Sequence, residues 1–424
     1  MRRLRVLMSA YACEPGKGSE PGIGWHMAKA VAAHHDLWVL TRANNRPAID
    51  AALAETPVPG LTFVYLDLPA WASWWKRGNR NVRLYYYLWQ ILAYTKARPL
   101  HAQIKFDLVH HATFGLYLAP SFVALLSAPF LWGPVGGGEG APASFTEDLA
   151  AQGQRHERLR RLFQRLALYD PFVRLTARRS AVTLATTIET LEKLQDLNLK
   201  ESAVTGNCAL SVSEIEGLAE LAARAAPQRA KVLISIGRLI HWKAYHLAIR
   251  AFAALETHAE REAEYWIIGD GAERTRLERL AAELGVEKRV RFLGKLSRAE
   301  TLEKLAHSDV FVHPSLHDSG GWATLEAMAC AKPVLCLNLG GPGSQITPQT
   351  GVKLEARNPE QVVAELSSAM ANLLSDNALR EDLGAAGQRR VREHYSWPQK
   401  GLELARWYER AAQPEGAVIL EANA

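Results

Sequence analysis

Short apolar segments alternate with helical segments along this chain, and the alternation starts twice. LRVLMSA opens the first run at the N-terminus, and KVLISIG opens the second run at Lys231. Each opening segment leads into a glycine-bearing loop and then into an amphipathic helical segment. Because parallel strands are joined through covering helices, this order predicts an α/β fold class with two doubly wound parallel sheets.

The length and a change of composition predict where the two domains meet. A chain of 424 residues is long for one hydrophobic core, so two domains are expected. The stretch 205–230 is polar and rich in small residues just before the second run of strands. We therefore expect an N-terminal domain over 1–210 and a C-terminal domain over 211–398, with a final helix over 399–420 that returns to the first domain.

Charge and cysteine content narrow the class of protein. The net charge of +6 favours an anionic partner, which could be a nucleotide, a phospholipid surface or a nucleic acid. The basic residues follow no recognised nucleic-acid-binding module, so no nucleic-acid partner is expected. The four cysteines form no CxxC pair, which favours free thiols in a reducing, cytoplasmic compartment.

An acidic cluster lies in the segment HPSLHDSGGWATLEAMACAKPV, which begins at His313. Asp318 precedes the pair Gly320 and Gly321, and a helical pattern starts at Trp322 and carries Glu326. Carboxylates accept hydrogen bonds from sugar hydroxyls, and glycine lets backbone amides approach a ligand closely. The alternative is structural: Asp318 would cap the helix and Glu326 would form a salt bridge.

A cationic cluster follows the strand segment KVLISIG and contains Arg238 and Lys243. Open α/β sheets bind ligands at the carboxyl ends of their strands, which is where these two side chains are expected. Arginine and lysine together could neutralise a diphosphate leaving group without a metal. The alternative is a pair of solvated surface charges.

Two further features of the first half could take part in binding. The stretch GKGSEPGIGWHMAKA places Gly22 and Gly24 at the expected handover from the first strand to a helix, where backbone amides could meet an anion. His110 and His111 end the strand segment FDLVHHATFG. Since neighbouring strand residues point to opposite faces, only one of the two imidazoles should reach a ligand. A purely structural role for the glycines and histidines remains open.

Two insertions combine aromatic or apolar residues with cations. The stretch 68–99 contains eight tryptophans and tyrosines among lysine and arginine, and the stretch 155–180 places leucines and Phe163 on one face of an arginine-rich helix. One interpretation is that the apolar side chains face the core. The other is that both stretches touch an anionic membrane surface or a lipid-linked acceptor.

Taken together, these residues resemble the retaining glycosyltransferases of family 4, which have the GT-B fold of two Rossmann-like domains that face a central cleft. The resemblance covers nearly the whole chain and is most specific in IGRL with WK, IIGDG, RVRFLG and the run from HPS to EAMA. It departs from the family at Asp318, where glutamate is usual, and at Ala244, where glycine is usual.

The resemblance implies roles for individual residues. The implied catalytic residues are Arg238, Lys243, Asp318 and His111. The implied donor-binding residues are Gly22, Gly24, Gly320, Gly321, Trp322, Glu326 and Leu293. No cofactor and no metal site are implied, because no DxD-like cluster or other ligand set is visible in the sequence.

The function implied by the resemblance is retaining transfer of a hexosyl group from a nucleotide-diphosphate sugar. The acceptor would be a glycan, a lipid-linked molecule or another hydroxyl compound used in cell-surface polysaccharide or glycolipid synthesis. We expect a cytoplasmic enzyme that can associate peripherally with the inner face of the membrane. The alternatives are a nucleotide-sugar epimerase on the same architecture and a non-catalytic nucleotide-sugar-binding protein.

Overall fold

The structure, a computed structural model, describes residues 2–73, 81–226, 230–255 and 262–413. The chain divides into two compact units. Unit 1 comprises Met1–Gly138, Gln164–Asn207 and Trp397–Ala424, and unit 2 comprises Glu139–Phe163 and Cys208–Ser396.

The strands of the described residues form one sheet in each unit. They are β1 (Arg5–Ala10), β2 (Asp36–Arg42), β3 (Leu61–Leu66), β4 (Leu108–Thr113), β5 (Phe130–Val135), β6 (Ser180–Ala185), β7 (Ser202–Val204), β8 (Val232–Ile236), β9 (Glu264–Ile268), β10 (Val290–Gly294), β11 (Val310–His313), β12 (Val334–Leu337) and β13 (Gly351–Leu354).

Helices separate most of these strands along the chain. They are α1 (Ser19–Ala32), α2 (Arg46–Glu55), α3 (Ala70–Ser73), α4 (Val82–Ile104), α5 (Ala151–Tyr169), α6 (Pro171–Arg179), α7 (Ile188–Leu194), α8 (Val212–Arg224), α9 (Tyr245–Ala253), α10 (Arg274–Glu283), α11 (Arg298–Ala306), α12 (Trp322–Ala329), α13 (Gly340–Gln345), α14 (Pro359–Ser375), α15 (Asn377–His394) and α16 (Trp397–Ala412). The helix expected over 399–420 corresponds to α16, and positions 414–420 lie outside the described residues.

Both sheets are parallel, and the six strands of the second follow the same order as the first six of the first, which has a seventh. In unit 1 the order is β3-β2-β1-β4-β5-β6-β7, and in unit 2 it is β10-β9-β8-β11-β12-β13. The order reverses between β1 and β4 in the first sheet and between β8 and β11 in the second. Such reversals open a crevice at the carboxyl ends of the two strands. The prediction of two doubly wound α/β domains is confirmed.

Segment Glu139–Phe163 clusters with unit 2, although the sequence-based boundary kept it in a domain over 1–210. Phe145 and Leu149 belong to the core of unit 2. The Asp148 carboxylate accepts hydrogen bonds from His246 at 2.7 Å and from Arg250 at 2.8 Å. These contacts join residues about a hundred positions apart and explain the assignment, and no periodicity in the sequence reveals them.

Helix α16 clusters with unit 1, where it packs on α1 and on the sheet. A Cβ atom at Gly401 would lie 2.6 Å from the carbonyl oxygen of Ala30, so only glycine allows this approach of the two helices. The Tyr408 hydroxyl lies 2.6 Å from Nδ1 of His110 on β4. The C-terminal segment therefore completes the core of unit 1.

The insertion over 68–99 contributes buried aromatic side chains to the core where the structure describes it. Tyr85, Tyr86 and Trp89 on α4 are buried, and Trp89 donates a hydrogen bond to the carbonyl oxygen of Leu66. Trp71 is exposed. The core-facing interpretation therefore holds for these three side chains of α4, whereas 74–80, with two of the tryptophans, lie outside the described residues.

In the insertion over 155–180, by contrast, large apolar side chains are exposed. Five large side chains on one face of α5 are each at least 50% exposed. They are Leu159, Leu162, Phe163, Leu166 and Tyr169, and we call them the α5 apolar row. The core-facing interpretation is wrong for this row. Among the described residues, no helix combines the length and hydrophobicity needed to cross a bilayer.

Candidate functional site

The two clusters noted in the sequence meet at the strand-order reversal of unit 2. The cationic cluster follows β8 and the acidic cluster follows β11, and these two strands are hydrogen-bonded neighbours. The loops also bind one another, because the amide of Leu316 donates to the carbonyl oxygen of Trp242 at 2.8 Å. Parallel pairing of β8 and β11 therefore places residues from both clusters at the carboxyl-end edge of the sheet, after its two central strands.

Asp318 and Lys243 form the central contact of this site. Lys243 Nζ donates to Asp318 Oδ2 at 2.5 Å, and His313 Nε2 lies 3.3 Å from the same oxygen. Burial by itself raises the pKa of Asp318, but the charge of Lys243 and the nearby imidazole of His313 outweigh it and hold the pKa well below its usual value. Asp318 is therefore ionised at neutral pH.

The Gly-Gly turn is organised by the other carboxylate oxygen of Asp318. Oδ1 accepts hydrogen bonds from the amides of Gly320 at 3.2 Å and Gly321 at 3.3 Å. Gly321 has a positive φ of 66°, and a Cβ there would lie 2.6 Å from Gln345 Oε1. Helix α12 begins directly afterwards at Trp322, as predicted. Asp318 therefore organises the turn in front of α12, but it does not cap the helix as the structural alternative expected, because the N-cap residue is Gly321 and no side chain caps it.

Glu326 lies on α12 and is bound by a residue that the sequence analysis did not identify. Its Oε1 accepts a hydrogen bond from Arg298 Nη1 at 2.6 Å, and Arg298 Nη2 also binds Glu214 at 3.2 Å. Burial raises the pKa of Glu326, and the Arg298 charge only partly opposes that effect. The salt-bridge alternative is realised here, and contact with a ribose stays a prediction.

Arg238 is exposed at the start of the loop after β8, with its guanidinium carbon 5.9 Å from the centroid of the Trp242 ring. Among the described residues no carboxylate pairs with it. The neighbouring turns are tightly packed, since a Cβ at Gly269 would lie 1.9 Å from the carbonyl oxygen of Gly237. Leu293 lies in β10, one of the two outermost strands of the sheet, and is half-buried.

Several buried polar atoms around the Gly-Gly turn lack a hydrogen-bond partner among the described residues. They are Trp322 Nε1, Thr324 Oγ1, Gln345 Oε1, His313 Nε2 and His317 Nε2. A buried polar group without a partner costs roughly 1–3 kcal/mol. Such a concentration beside one turn is typical of a surface that contributes hydrogen bonds to a polar ligand.

The candidate residues of the first half lie in unit 1, where the contacts described below are with other residues of that unit. His110 and His111 point to opposite sides of β4, as predicted: His110 contacts Tyr408, and Nε2 of His111 lies 3.2 Å from the Tyr86 hydroxyl. His111 is buried, and burial lowers its pKa to about 3. A catalytic role for His111 stays a prediction.

Gly22 and Gly24 do not lie in a loop, and that expectation is wrong. Helix α1 begins at Ser19, so both glycines lie inside it. A Cβ at Gly24 would lie 2.1 Å from the carbonyl oxygen of Ala12, so this glycine lets α1 approach the chain that leaves β1. Their assignment as donor-binding residues stays a prediction.

A third group of side chains was missed by the sequence analysis. Nε2 of His241 lies 3.3 Å and Nε2 of His317 lies 3.4 Å from the same oxygen, Oε1 of Glu157. His317 stands in the quoted acidic segment directly before Asp318, and His241 directly precedes the quoted WK motif. Glu157 gave no comparable signal, because it sits in the arginine-rich stretch 84 positions before His241.

Comparison with known protein families finds a match in the second half of the chain. Residues 219–390 match the family model described as Glycosyl transferases group 1. The match lies inside unit 2 and contains every candidate from Arg238 to Glu326. The group 1 match therefore coincides with the sheet edge where the cationic and acidic clusters meet.

Two curated relatives show the kind of glycosyltransferase that this region resembles. One is a GDP-mannose-dependent monoacylated alpha-(1-6)-phosphatidylinositol monomannoside mannosyltransferase of Corynebacterium glutamicum, 32% identical over 41% of this chain and 45% of the relative. The other is the lipopolysaccharide core biosynthesis glycosyltransferase LpsD of Rhizobium meliloti, 32% identical over 40% of this chain and 47% of the relative. The matches span about half the length of these relatives.

Solved structures resemble nearly the whole chain in fold. A glycosyltransferase from Rickettsia africae aligns with a TM-score of 0.60 and 14% identity, covering 98% of this chain and 100% of that structure. Anabaena HepE in complex with UDP-glucose aligns with a TM-score of 0.57 and 17% identity, covering 96% and 100%. These alignments show that the chain shares a fold of two α/β domains with the aligned structures.

Proposed function

We propose that this protein is a retaining glycosyltransferase that moves a hexosyl group from a nucleotide-diphosphate sugar to a hydroxyl acceptor. The observation that carries the proposal is the contact between Lys243 and Asp318 beside the exposed Arg238, at the strand-order reversal of a unit that matches group 1 glycosyltransferases. Cations, a carboxylate and a glycine turn at one sheet edge suit a sugar joined to a diphosphate.

The two cations would act on the leaving group. Arg238 offers a planar fork for phosphate oxygens, and Lys243 offers a compact charge already held in place by Asp318. As the bond between the anomeric carbon and the phosphate oxygen breaks, negative charge grows on the diphosphate, and fixed cations stabilise it most in the transition state. This arrangement supports transfer without an obligatory metal.

The acidic side of the site would hold the sugar and the nucleotide. The carboxylate of Asp318 and the amides of the Gly-Gly turn would bind sugar hydroxyls, while Trp322 and Gln345 offer further polar atoms. Glu326 would accept from the ribose after exchanging its contact with Arg298. Retention then follows if the acceptor oxygen attacks from the side of the departing phosphate, which takes up the acceptor proton.

The acceptor that we propose is glycan or lipid-linked, and the protein would work at the cytoplasmic face of a membrane. The names of the two curated relatives refer to a phosphatidylinositol mannoside and to the lipopolysaccharide core. Both are built on lipids, so an enzyme that acts on a similar acceptor benefits from contact with a bilayer.

The α5 apolar row supports contact with an anionic membrane surface. Arg155, Arg158 and Arg165 on the same helix are exposed, whereas its glutamate, Glu157, is buried. Exposed apolar side chains next to exposed cations are the pattern of a helix that lies in the interface of an anionic bilayer. The cations would bind lipid headgroups, at about 1 kcal/mol per charge near the surface.

A ligand panel tests the proposed function directly. The full-length chain is screened by thermal shift against nucleoside diphosphates and nucleotide sugars, since a ligand of the native state raises the unfolding temperature. The stabilising sugar nucleotide is then incubated with and without glycan and lipid-linked acceptors in the presence of EDTA. Transfer with retained configuration supports the proposal. An epimer formed from donor alone, or stabilisation without turnover on any acceptor, would contradict it.

A further inference from the structure

Glu157 is surrounded by imidazoles from separate segments of unit 2. His156 precedes it on α5, His241 lies in the loop after β8, and His317 lies in the loop after β11. One possible ligand atom from each of His156, Glu157 and His241 lies within 4.8 Å of the other two. His317 Nε2 approaches the same carboxylate at 3.4 Å. These side chains belong to none of the proposed donor contacts.

Two imidazole nitrogens lie near one oxygen of Glu157, and one of these nitrogens has no hydrogen-bond partner among the described residues. Nε2 of His241 and Nε2 of His317 both approach Oε1 of Glu157, but the His317 atom is buried and has no hydrogen-bond partner among the described residues. The His317 side chain is only 8% exposed. A cation bound among these atoms would satisfy the nitrogen that the protein leaves unpaired.

We propose that Glu157, His156 and His241, with His317 as a fourth ligand, form a binding site for a divalent transition metal of the zinc type. Zinc bonds of 2.0–2.1 Å in tetrahedral geometry place neighbouring ligand atoms about 3.3 Å apart. In the structure, Oε1 of Glu157 lies 3.3 and 3.4 Å from the Nε2 atoms of His241 and His317. Imidazole ligands suit transition metals such as zinc, copper and nickel, whereas magnesium and calcium prefer sites built from oxygen ligands alone, so three histidines favour the transition metals.

Neighbouring groups already orient the ligands. The amide of Ala141 donates to Oε2 of Glu157 at 3.2 Å, which leaves Oε1 directed at the histidines. The Trp242 ring stacks on His156 with centroids 5.4 Å apart and on His317 with centroids 5.1 Å apart. Such supporting contacts fix the orientation of metal ligands. His156 is exposed and gives the ion a path from solvent.

The site would hold together the loops that carry the candidate donor residues. His241 lies two positions before Lys243, and His317 lies directly before Asp318. A bound ion would restrain both loops against the start of α5 without touching the diphosphate. The inference stands on the ligand geometry and does not depend on the proposed transfer reaction, for which no metal is required.

Cobalt binding by the full-length, metal-stripped chain tests the proposal. We expect one equivalent of Co²⁺ to give the intense visible absorption of a four-coordinate site, and Zn²⁺ to displace it. His156→Ala changes an exposed side chain and should leave the circular dichroism spectrum unchanged while weakening metal affinity at least about tenfold. His241→Gln should weaken it similarly. The matched control is His394→Ala, an exposed histidine of the same unit.

The outcomes separate this site from adventitious binding to surface histidines. Weaker binding in both site variants, with normal binding in the His394→Ala control, supports the proposal. The proposal is overturned if the wild type binds no stoichiometric cobalt, if either site variant keeps wild-type affinity, or if the control loses binding as the site variants do.

Discussion

The ammonium group of Lys243 lies 2.5 Å from a carboxylate oxygen of Asp318, although 75 positions separate the two residues in the chain. Each side chain is mostly buried, with 15% and 22% of its surface exposed. The pair joins the loop after β8 to the loop after β11. A donor diphosphate that binds here would therefore share Lys243 with a carboxylate that also organises the Gly-Gly turn.

Replacing Lys243 should separate its catalytic role from its structural one. Lys243→Ala leaves the Asp318 charge without its partner, so we expect the free energy of unfolding to fall by about 1–3 kcal/mol and kcat to fall about 10²–10³-fold. In the double variant Lys243→Ala with Asp318→Asn, stability should partly recover and kcat should not. Urea unfolding and donor turnover measure both. Recovery of turnover in the double variant would reduce Lys243 to a structural residue.

Arg238→Ala should reduce transfer without affecting the fold. The side chain is exposed and contacts only the Trp242 ring among the groups described above, so its removal should change the unfolding free energy by less than about 0.5 kcal/mol. Loss of a charge-assisted contact to the diphosphate should lower kcat/KM by at least about tenfold. Arg279→Ala, an exposed arginine on α10, is the matched control and should behave as wild type. Equal kinetics in the two variants would refute the assignment.

Glu326→Gln tests whether the carboxylate binds the donor. Its partner Arg298 is 56% exposed, so water can solvate the guanidinium once the negative charge is gone. We therefore expect a stable protein whose KM for the donor rises about tenfold, because a charged hydrogen-bond acceptor for the ribose is lost. Initial rates over a range of donor concentrations measure the effect. An unchanged KM would leave Glu326 as a purely structural partner of Arg298.

The α5 apolar row should control binding to liposomes. In the triple variant Leu162→Ser, Phe163→Ser, Leu166→Ser, flotation with anionic vesicles should drop at least about tenfold, since apolar area is lost from the membrane-facing side of the helix. The matched control changes three other exposed apolar residues, Ile188, Val212 and Leu284, to serine. The membrane proposal fails if the wild type does not float with the vesicles. It also fails if the two triple variants reduce flotation equally.

Asp148 should make unit 2 sensitive to acid. Burial raises the pKa of Asp148, but the hydrogen bond from His246 and the contact with Arg250 outweigh it and lower the pKa to about 2. Because the folded-state pKa is depressed, the stabilisation is complete above about pH 4 and disappears as the pH falls through about 2. A pKa shift of this size stabilises the folded state by about 2 kcal/mol when the carboxylate is ionised.

The variant Asp148→Asn should therefore lose about 2 kcal/mol of unfolding free energy at pH 7 and match the wild type near pH 2. Urea unfolding across this pH range measures the difference. The control is Asp382→Asn, which changes an exposed carboxylate on α15. Its free energy of unfolding should follow that of the wild type at every pH. A difference for Asp148→Asn that does not shrink with acid would contradict the assigned cause.

The location of the candidate donor site followed from the sequence because its signals are local. Arg238 and Lys243 directly follow an apolar strand, and Asp318 precedes a glycine pair and a helix that begins at Trp322. Parallel sheets bring such loops to one edge. Glu157 could not be found in this way, because its partners His241 and His317 come from other segments, and Arg298 was missed as the partner of Glu326 for the same reason.

The sequence by itself determined the two parallel α/β units and the edge of the second sheet, since strand and helix periodicity and glycine placement act over a few residues. Only the tertiary structure decided which charges pair, why Gly24 is needed inside α1, and that segment Glu139–Phe163 clusters with unit 2. It also decided that Tyr85, Tyr86 and Trp89 of α4 are buried while the α5 apolar row is exposed. An amphipathic pattern distinguishes two faces of a helix, but which face is covered depends on the neighbours that packing places against it.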